Sequence, residues 1–293
     1  MNEIYREIGI SKQAFHQWLD RTMVHYEEQG QLLPIIREIR KDHPMLSSRE
    51  IYKKIRPQTM GRDRFEAFCF EHGFKIEIKK SKHKTTDGRG YLYFPNLLLT
   101  IDEFTYINQL WVSDITYFDI GDKTYYLIFI TDLFNREIVG YTASLTLRTK
   151  DTTLPALKMA LCDRDLGKDS NLIFHSDGGG QYYCKEFLAL TKEYGIKNSM
   201  GKTAYENPHA ERVNGTIKNY YLIPYEPTDF KELEKMLIKA VYLYNNDKPH
   251  KSLNGHSPHE FLNLIDKGVL TKIWVVNKKK KVSKKEKVNI SIT

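Results

Sequence analysis

The order of apolar segments in the middle of the chain constrains its fold more than any other feature. Three consecutive segments rich in β-branched and aromatic residues are separated by short turns, which predicts three strands in hairpin succession. A helical repeat, a short apolar strand and a second helix follow them. The chain therefore encodes an α/β unit, a mixed sheet flanked by helices. The predicted strands cover residues 110–120, 125–130, 137–143 and 172–174, and the predicted helices cover residues 152–161 and 185–194.

The segment before this unit lacks the strand pattern and is typical of short helices. Ser11 is a plausible N-cap, and Lys12 and Gln13 would face outward from the helix that it begins. Arg62 and Arg64 enter a later helix. The predicted fold is thus a ribonuclease-H-like mixed sheet flanked by helices, preceded by small all-α helix-turn-helix modules.

Shifts in composition divide the chain into five predicted segments. The stretch after residue 78 contains no large apolar side chain up to residue 90, which is typical of a linker, and the last segment is rich in lysine. The segments are a partial helix-turn-helix at 1–28, a second helix-turn-helix-like module at 29–78, a basic linker at 79–95, the α/β core at 96–266 and a basic tail at 267–293.

Charge and cysteine usage narrow the class of protein. The net charge of +8 points to an anionic partner. This indication is weak, because lysine runs are as common in solvated tails as in nucleic-acid contacts. No apolar run approaches the roughly 18 residues of a membrane span, so we expect no membrane partner. The three cysteines form no C-x-x-C pair, which favours a reducing cytoplasm and argues against a cysteine zinc site.

Three carboxylates stand where this fold could bring them together. Asp114 lies within the first strand of the series, and Asp177 ends the short strand just before three glycines. Glu211 lies early in a helix whose start is marked by Asn207 as N-cap and Pro208 as first residue. Two strand aspartates and one helix glutamate can then meet at one edge of the sheet.

The helix that carries Glu211 has two distinct faces. Val213, Ile217 and Tyr220 recur at helical spacing and would pack on the sheet. Glu211 and Lys218, seven residues apart, share the other face and would point toward an open site.

Carboxylates gathered without neighbouring arginines repel one another unless cations lie among them. Hard divalent ions with oxygen ligands suit such a site, and Mg²⁺ suits phosphate chemistry best. Two ions can activate the attacking oxygen and stabilise the leaving oxygen of an in-line phosphoryl displacement. Asp114 would be the bridging ligand.

Several linked blocks give the chain a resemblance to the catalytic core of retroviral-integrase-type DDE transposases. Within this group the chain is most similar to the bacterial insertion-sequence family whose transposase is encoded in two overlapping frames. The resemblance extends over about residues 32–265, and Glu211 follows Asp177 by 34 residues, close to the family spacing. The blocks are WVSDITY at 111–117, DLFNREIVGY at 132–141, HSDGGGQY at 175–182, ENPHAERVNGTIK at 206–218 and YNNDKPHKSL at 244–253.

This resemblance implies a specific activity, cleavage of DNA at the ends of a mobile element by water and then transfer of the free 3′-hydroxyl to another phosphodiester. It implies an integrase-type catalytic core at 96–266, with Asp114, Asp177 and Glu211 as catalytic and metal-binding residues. The implied cofactor is Mg²⁺, two ions for which Mn²⁺ can substitute. The implied partners are double-stranded DNA at terminal inverted repeats and at the target, further copies of the chain on that DNA, and an upstream-frame helix-turn-helix protein. Such a protein would work in the bacterial cytoplasm, bound to the nucleoid.

Candidate DNA contacts fall outside the carboxylate triad. Lys218 shares the face of Glu211, and Lys202 lies on the loop before that helix, so both could contact phosphates. The N-terminal candidates are Lys12, Gln13, Arg62 and Arg64.

The chain departs from the family pattern at three points, the first of which is Arg212-Val213, where family members usually carry a bulkier pair after the catalytic glutamate. Glu206 stands where family members usually carry aspartate, which makes it a rival to Glu211 although it lies just outside the helix. The His-His-Cys-Cys zinc module of retroviral integrases has no counterpart here, and helix-turn-helix pieces would replace it.

Two other functions compete with transposition. A nuclease of the same fold would hydrolyse RNA or branched DNA without joining strands. A domesticated DNA-binding regulator would have lost catalysis. The intact carboxylates argue against decay, and the helix-turn-helix-like N-terminus and basic linker argue against an RNA nuclease.

Overall fold

The computed structural model describes residues 7, 9–77, 94–101, 103–201, 207–269 and 274–275. The chain divides into two compact units, residues 1–79 and 80–293. Each unit has hydrophobic clusters of its own.

The N-terminal unit is helical. Helix α1 spans Lys12–Asp42, α2 spans Ser48–Ile55 and α3 spans Arg62–Glu71. Ser11 caps α1 by accepting the backbone N–H of Ala14, as predicted, and Ser47 and Glu50 form a reciprocal capping box at the start of α2. The three helices bury one shared cluster, made of Leu32, Ile36, Leu46, Ile51, Met60, Phe65, Phe68 and Cys69.

Helix α1 corrects one feature of the predicted segmentation. The helix runs unbroken past residues 28 and 29, where the sequence analysis separated two modules. Residues 19–31 contain no proline, and the single glycine there, Gly30, costs only about 1 kcal/mol relative to alanine within a helix. The two predicted helix-turn-helix modules therefore share one helix.

The second unit is built on a mixed sheet, which confirms the predicted fold class. Its strand order within the described residues is β4-β3-β2-β5-β6, in which β2, β3 and β4 are antiparallel neighbours and β5 and β6 run parallel to β2. Strand β6 was not predicted from the sequence. The strands are β1 Glu103–Phe104, β2 Leu110–Ile120, β3 Lys123–Asp132, β4 Ile138–Ser144, β5 Ile173–Ser176, β6 Lys197–Met200 and β7 Trp274–Val275.

Helices cover both faces of this sheet. Alternate residues of β3 point to opposite faces, with Leu127 and Phe129 in one hydrophobic cluster and Ile128 and Ile130 in the other. The remaining helices are α4 Thr153–Asp163, α5 Lys185–Glu193, α6 Pro208–Ile217, α7 Phe230–Asn246 and α8 Pro258–Asp266. The cluster of Leu127 contains residues of α6 and α7, and the cluster of Ile128 contains residues of α4 and α5.

Two short strands lie outside this sheet. Strand β1 pairs antiparallel with β7, at residues that the sequence analysis assigned to the basic tail. The tail therefore contributes at least two residues to structure within the second unit. In the described part of the chain, no helix is both long and apolar enough to cross a membrane.

Candidate active site

Strand pairing brings Asp114 and Asp177 to the same edge of the sheet. In the parallel pair β2–β5, Val112 lies opposite His175. Asp114 follows Val112 by two residues and Asp177 directly follows the end of β5, so both acids lie at this end of the strand pair, where the charge of Asp177 acts on Asp114.

The glycine-rich turn after β5 holds Asp177 through its own backbone. The N–H of Gly179 donates to Oδ1 of Asp177 at 3.0 Å, and the hydroxyl of Tyr183 donates to the Asp177 carbonyl at 2.8 Å. A Cβ on Gly179 would lie 3.1 Å from that carboxylate oxygen, tighter than ordinary contact. Glycine at this position therefore gives the carboxylate a backbone donor without side-chain bulk.

Helix α6 carries Glu211 on the face predicted for it. The helix begins at Pro208 after Asn207, and Val213 and Ile217 are buried in the core. Glu211 is exposed. After Ile217 the chain continues in a π-helical turn, Lys218–Leu222, a geometry often found at functional sites.

The neighbouring acids act on the carboxylate of Asp114. Burial, together with the negative charges of Asp177 and Glu211, raises the pKa of Asp114 to about 7, against hydrogen bonds from the Ile115 backbone and Asn214. Burial also raises the pKa of Asp177. Both aspartates thus hold a proton more tightly than free aspartic acid, because burial disfavours the charged form and, at Asp114, negative neighbours add to this effect.

Two asparagines that the sequence analysis did not assign to the site attach α6 to β2. Asn214 Nδ2 donates to Oδ2 of Asp114 at 2.9 Å, and Asn207 Nδ2 donates to the carbonyl of Ser113 at 2.8 Å. Asn207 occupies the N-cap position, but its side chain makes no capping hydrogen bond. The predicted start of α6 is therefore confirmed, and the amide of its N-cap residue bonds the strand instead of the helix.

The donor chemistry of this edge suits a hard divalent cation. Asp114 and Asp177 offer carboxylate oxygens there, and the buried amide oxygens of the adjoining Asn207 and Asn214 have no hydrogen-bond partner in the described part of the chain. Oxygen ligands of this kind are preferred by Mg²⁺. Among the described residues, no three histidine, cysteine, aspartate or glutamate side chains are close enough to hold a metal ion. An ion bound by the whole triad therefore requires the three side chains to come closer together.

Comparison with known proteins identifies the family. Two models described as integrase core domain match residues 106–205 and 193–258. An insertion element IS600 protein of 31 kDa from Shigella sonnei is 30% identical over 265 residues, which covers 86% of this chain and 95% of that protein. The chain belongs to the insertion-sequence transposases of the retroviral-integrase-like superfamily.

Other proteins also resemble this transposase. The transposase for insertion sequence element IS904 from Lactococcus lactis is 29% identical over 185 residues, covering 62% of this chain and 72% of that protein. Among solved structures, the catalytic core domain of HTLV-2 integrase in complex with magnesium matches with 21% identity and a TM-score of 0.44, covering 53% of this chain and 95% of that one.

The structure describes one of the two DNA contacts that were predicted beside the carboxylates of the transposase. Lys218 reaches β2, with its Nζ 3.3 Å from Oγ1 of Thr116, and burial lowers the pKa of its ammonium group. Lys202 and the rival acid Glu206 lie outside the described residues.

The N-terminal candidates of the transposase are all exposed and belong to the other unit. Lys12 lies in the first turn of α1, followed by Gln13. Arg62 forms an ion pair with Asp63 at 2.8 Å, and Arg64 Nη2 lies 2.8 Å from Nε2 of His25. Both arginines remain at the surface despite these contacts.

A further carboxylate near the triad, Asp132, has a structural role. It is fully buried at the end of β3 and accepts the backbone N–H groups of Asn108 and Phe134 at 2.6 and 2.8 Å. Burial raises its pKa to about 6. These hydrogen bonds stabilise the end of β3, which is a structural role.

Proposed function

We propose that this transposase cuts DNA at the ends of an insertion sequence and joins the freed ends to target DNA, by hydrolysis followed by 3′-hydroxyl transesterification. The observation that carries the proposal is the meeting of Asp114 and Asp177 at one sheet edge, with the helix of Glu211 packed against it. Acidic side chains crowded to this degree bind cations readily, and phosphoryl transfer needs little else from a protein.

Asp114, Asp177 and Glu211 are the proposed catalytic and metal-binding residues. Besides burial, the charges of both Asp177 and Glu211 raise the pKa of Asp114. Asp114 would therefore bridge two ions. Asp177 and Glu211 would each hold one of them. Two Mg²⁺ ions, or Mn²⁺ in their place, would supply Lewis-acid activation of the attacking oxygen and stabilisation of the leaving oxygen.

Basic residues are proposed to hold the DNA. Lys218, whose ammonium group lies against β2 close to the triad, would contact a phosphate next to the cleaved bond, and Lys202 would contact the same strand. Lys12, Gln13, Arg62 and Arg64 would bind the terminal inverted repeats, and the basic linker and tail would neutralise backbone charge. Copies of the chain would act together on paired ends and target, with an upstream-frame helix-turn-helix protein as a further partner.

A strand-transfer assay separates this function from its rivals. Purified protein is incubated with labelled DNA that carries the element ends, a target plasmid and Mg²⁺. We expect cut ends and joined products. Cutting without joining would favour a nuclease of the same fold, and binding without either reaction would favour a DNA-binding regulator.

A further inference from the structure

Two buried asparagines of α6 hold consecutive residues of β2. Asn207 donates to the carbonyl of Ser113, and Asn214 donates to the carboxylate of Asp114. Their exposed fractions are only 3% and 5%. One helix therefore fixes both the strand backbone and the proposed catalytic carboxylate that follows it.

The orientation of both amides is set by their partners. A carbonyl or carboxylate oxygen only accepts hydrogen bonds, so each NH₂ group must face β2 and each amide oxygen must face away. Neither Oδ1 of Asn207 nor Oδ1 of Asn214 has a hydrogen-bond partner in the described residues. Buried acceptors without a partner are rare because they lose their hydration, and they are retained where a ligand supplies the donor.

The contact to Asp114 opposes a repulsion. The negative charges of Asp177 and Glu211 disfavour an ionised carboxylate at this position, whereas the hydrogen bond from Asn214 favours it. The backbone N–H of Ile115 also donates to this carboxylate, so without Asn214 one of these two donors would be lost.

We propose that Asn214 is a positioning residue of the active site. Its NH₂ group holds Oδ2 of Asp114, so that the carboxylate keeps one orientation toward a divalent cation. Its buried Oδ1 would be available to a hydrogen-bond donor such as a water molecule of the bound cation. This inference rests on the proposed function, because it requires a cation at Asp114.

Calorimetric titration of the full chain with Mn²⁺ alone tests the inference. Partners that orient a metal ligand usually contribute about 10- to 100-fold to metal affinity, so Asn214→Ala should weaken Mn²⁺ binding by that factor. Asn214→Leu, which keeps most of the side-chain volume, should weaken binding equally and serves if the alanine variant does not fold.

Asn245→Ala is the matched control. Asn245 is also buried, at 7% exposure, and its side chain bonds the backbone N–H and carbonyl of Ile138 away from the triad. This variant should have a lower melting temperature and unchanged Mn²⁺ affinity. An equal loss of affinity in Asn245→Ala and Asn214→Ala would mean general destabilisation and would overturn the inference.

Asp114→Asn separates the inference from the function on which it rests. We expect this variant to lose Mn²⁺ binding. If it does so while both Asn214 variants bind Mn²⁺ like the wild type, the positioning role is wrong and the proposed metal site stands. If Asp114→Asn binds Mn²⁺ like the wild type, the proposed site itself is wrong.

Discussion

At the scale of single residues, a buried carboxylate outside the active site links several parts of the core. Glu137 accepts hydrogen bonds from Asn135 and Arg164 on one oxygen and from His259 of α8 on the other. Burial alone would raise the pKa of Glu137, but the hydrogen bond from His259, the charge of Arg164 and the Asn135 contact together lower it.

The imidazole ring of His259 lies between two acceptors. One nitrogen is 2.7 Å from Glu137 and the other is 2.8 Å from Oδ1 of Asn246, whose NH₂ group donates to the carbonyl of Tyr242. Both ring nitrogens must therefore donate, which requires the protonated form. The hydrogen bond to Glu137 accordingly raises the pKa of His259.

This geometry predicts a pH-dependent stability. Because the folded pKa of His259 is raised, its contribution is complete below the unfolded value of about 6.5 and is lost as pH rises through the folded value. The free energy of unfolding of the wild type should therefore exceed that of His259→Gln most at about pH 6, and the difference should shrink toward pH 9. Denaturant unfolding across this range measures it.

His256→Gln provides the control for this prediction. His256 belongs to the same segment, but its ring lies 4.0 Å from Glu260 at the surface. The control should differ little from the wild type at any pH. A constant difference between His259→Gln and the wild type across the range would contradict a charged His259.

At the scale of elements, the sequence predicted β2 and α6 well and β6 not at all. The aromatic and β-branched residues of β2 favour a strand, and Pro208 marks where α6 begins. The sequence of β6, Lys-Asn-Ser-Met, has no such preference. It becomes a strand only because β5 supplies hydrogen-bond partners along its length.

The candidate site was predictable for its acids and not for its asparagines. Asp114 and Asp177 stand at recognisable strand positions, so their meeting followed from the fold. Asn214 lies within a helix, where asparagine is unfavourable. This unfavourable residue was the one feature of the sequence that could have indicated a role for Asn214. Its partner became visible only when α6 was packed against β2.

The close packing of β4 against α4 predicts that Gly140 cannot be replaced by a larger residue without loss of stability. A Cβ on Gly140 would overlap the carbonyl oxygen of Ala156 and press on the Ala160 side chain. Gly140→Ala should therefore lower the free energy of unfolding by about 1–3 kcal/mol, as overpacking does elsewhere. Thermal or denaturant unfolding measures this change.

Gly215→Ala is the matched substitution. Gly215 lies within α6, where an added Cβ would meet only the Asn219 side chain at 3.8 Å. Alanine there should be neutral or stabilising, because it favours helix more than glycine does. Equal stability of Gly140→Ala and Gly215→Ala would show that β4 and α4 are not packed this closely.

At the scale of the whole molecule, the two compact units suggest a division of labour. The unit of residues 1–79 carries Lys12, Gln13, Arg62 and Arg64, and residues 80–293 carry the triad. Removing residues 1–79 should therefore abolish the preference for element ends, normally at least about 1,000-fold over unrelated DNA, and leave nonspecific Mn²⁺-dependent nicking. Competition binding at fixed salt measures the preference.

Circular dichroism of the truncated chain shows whether residues 80–293 remain folded in this experiment. If the fragment is folded and still prefers element ends, residues 80–293 recognise the DNA sequence.

The amount of joined product formed in Mg²⁺ tests most directly whether the three carboxylates drive strand transfer. The variants are Asp114→Asn, Asp177→Asn and Glu211→Gln, measured beside Asp119→Asn. Asp119 lies on the same strand as Asp114, but it is exposed and accepts the hydroxyl of Thr124 at 2.6 Å. We expect each triad variant to bind element-end DNA and form no joined product, and Asp119→Asn to join DNA like the wild type. Substantial joining by any triad variant would show that the substituted carboxylate is not required for strand transfer.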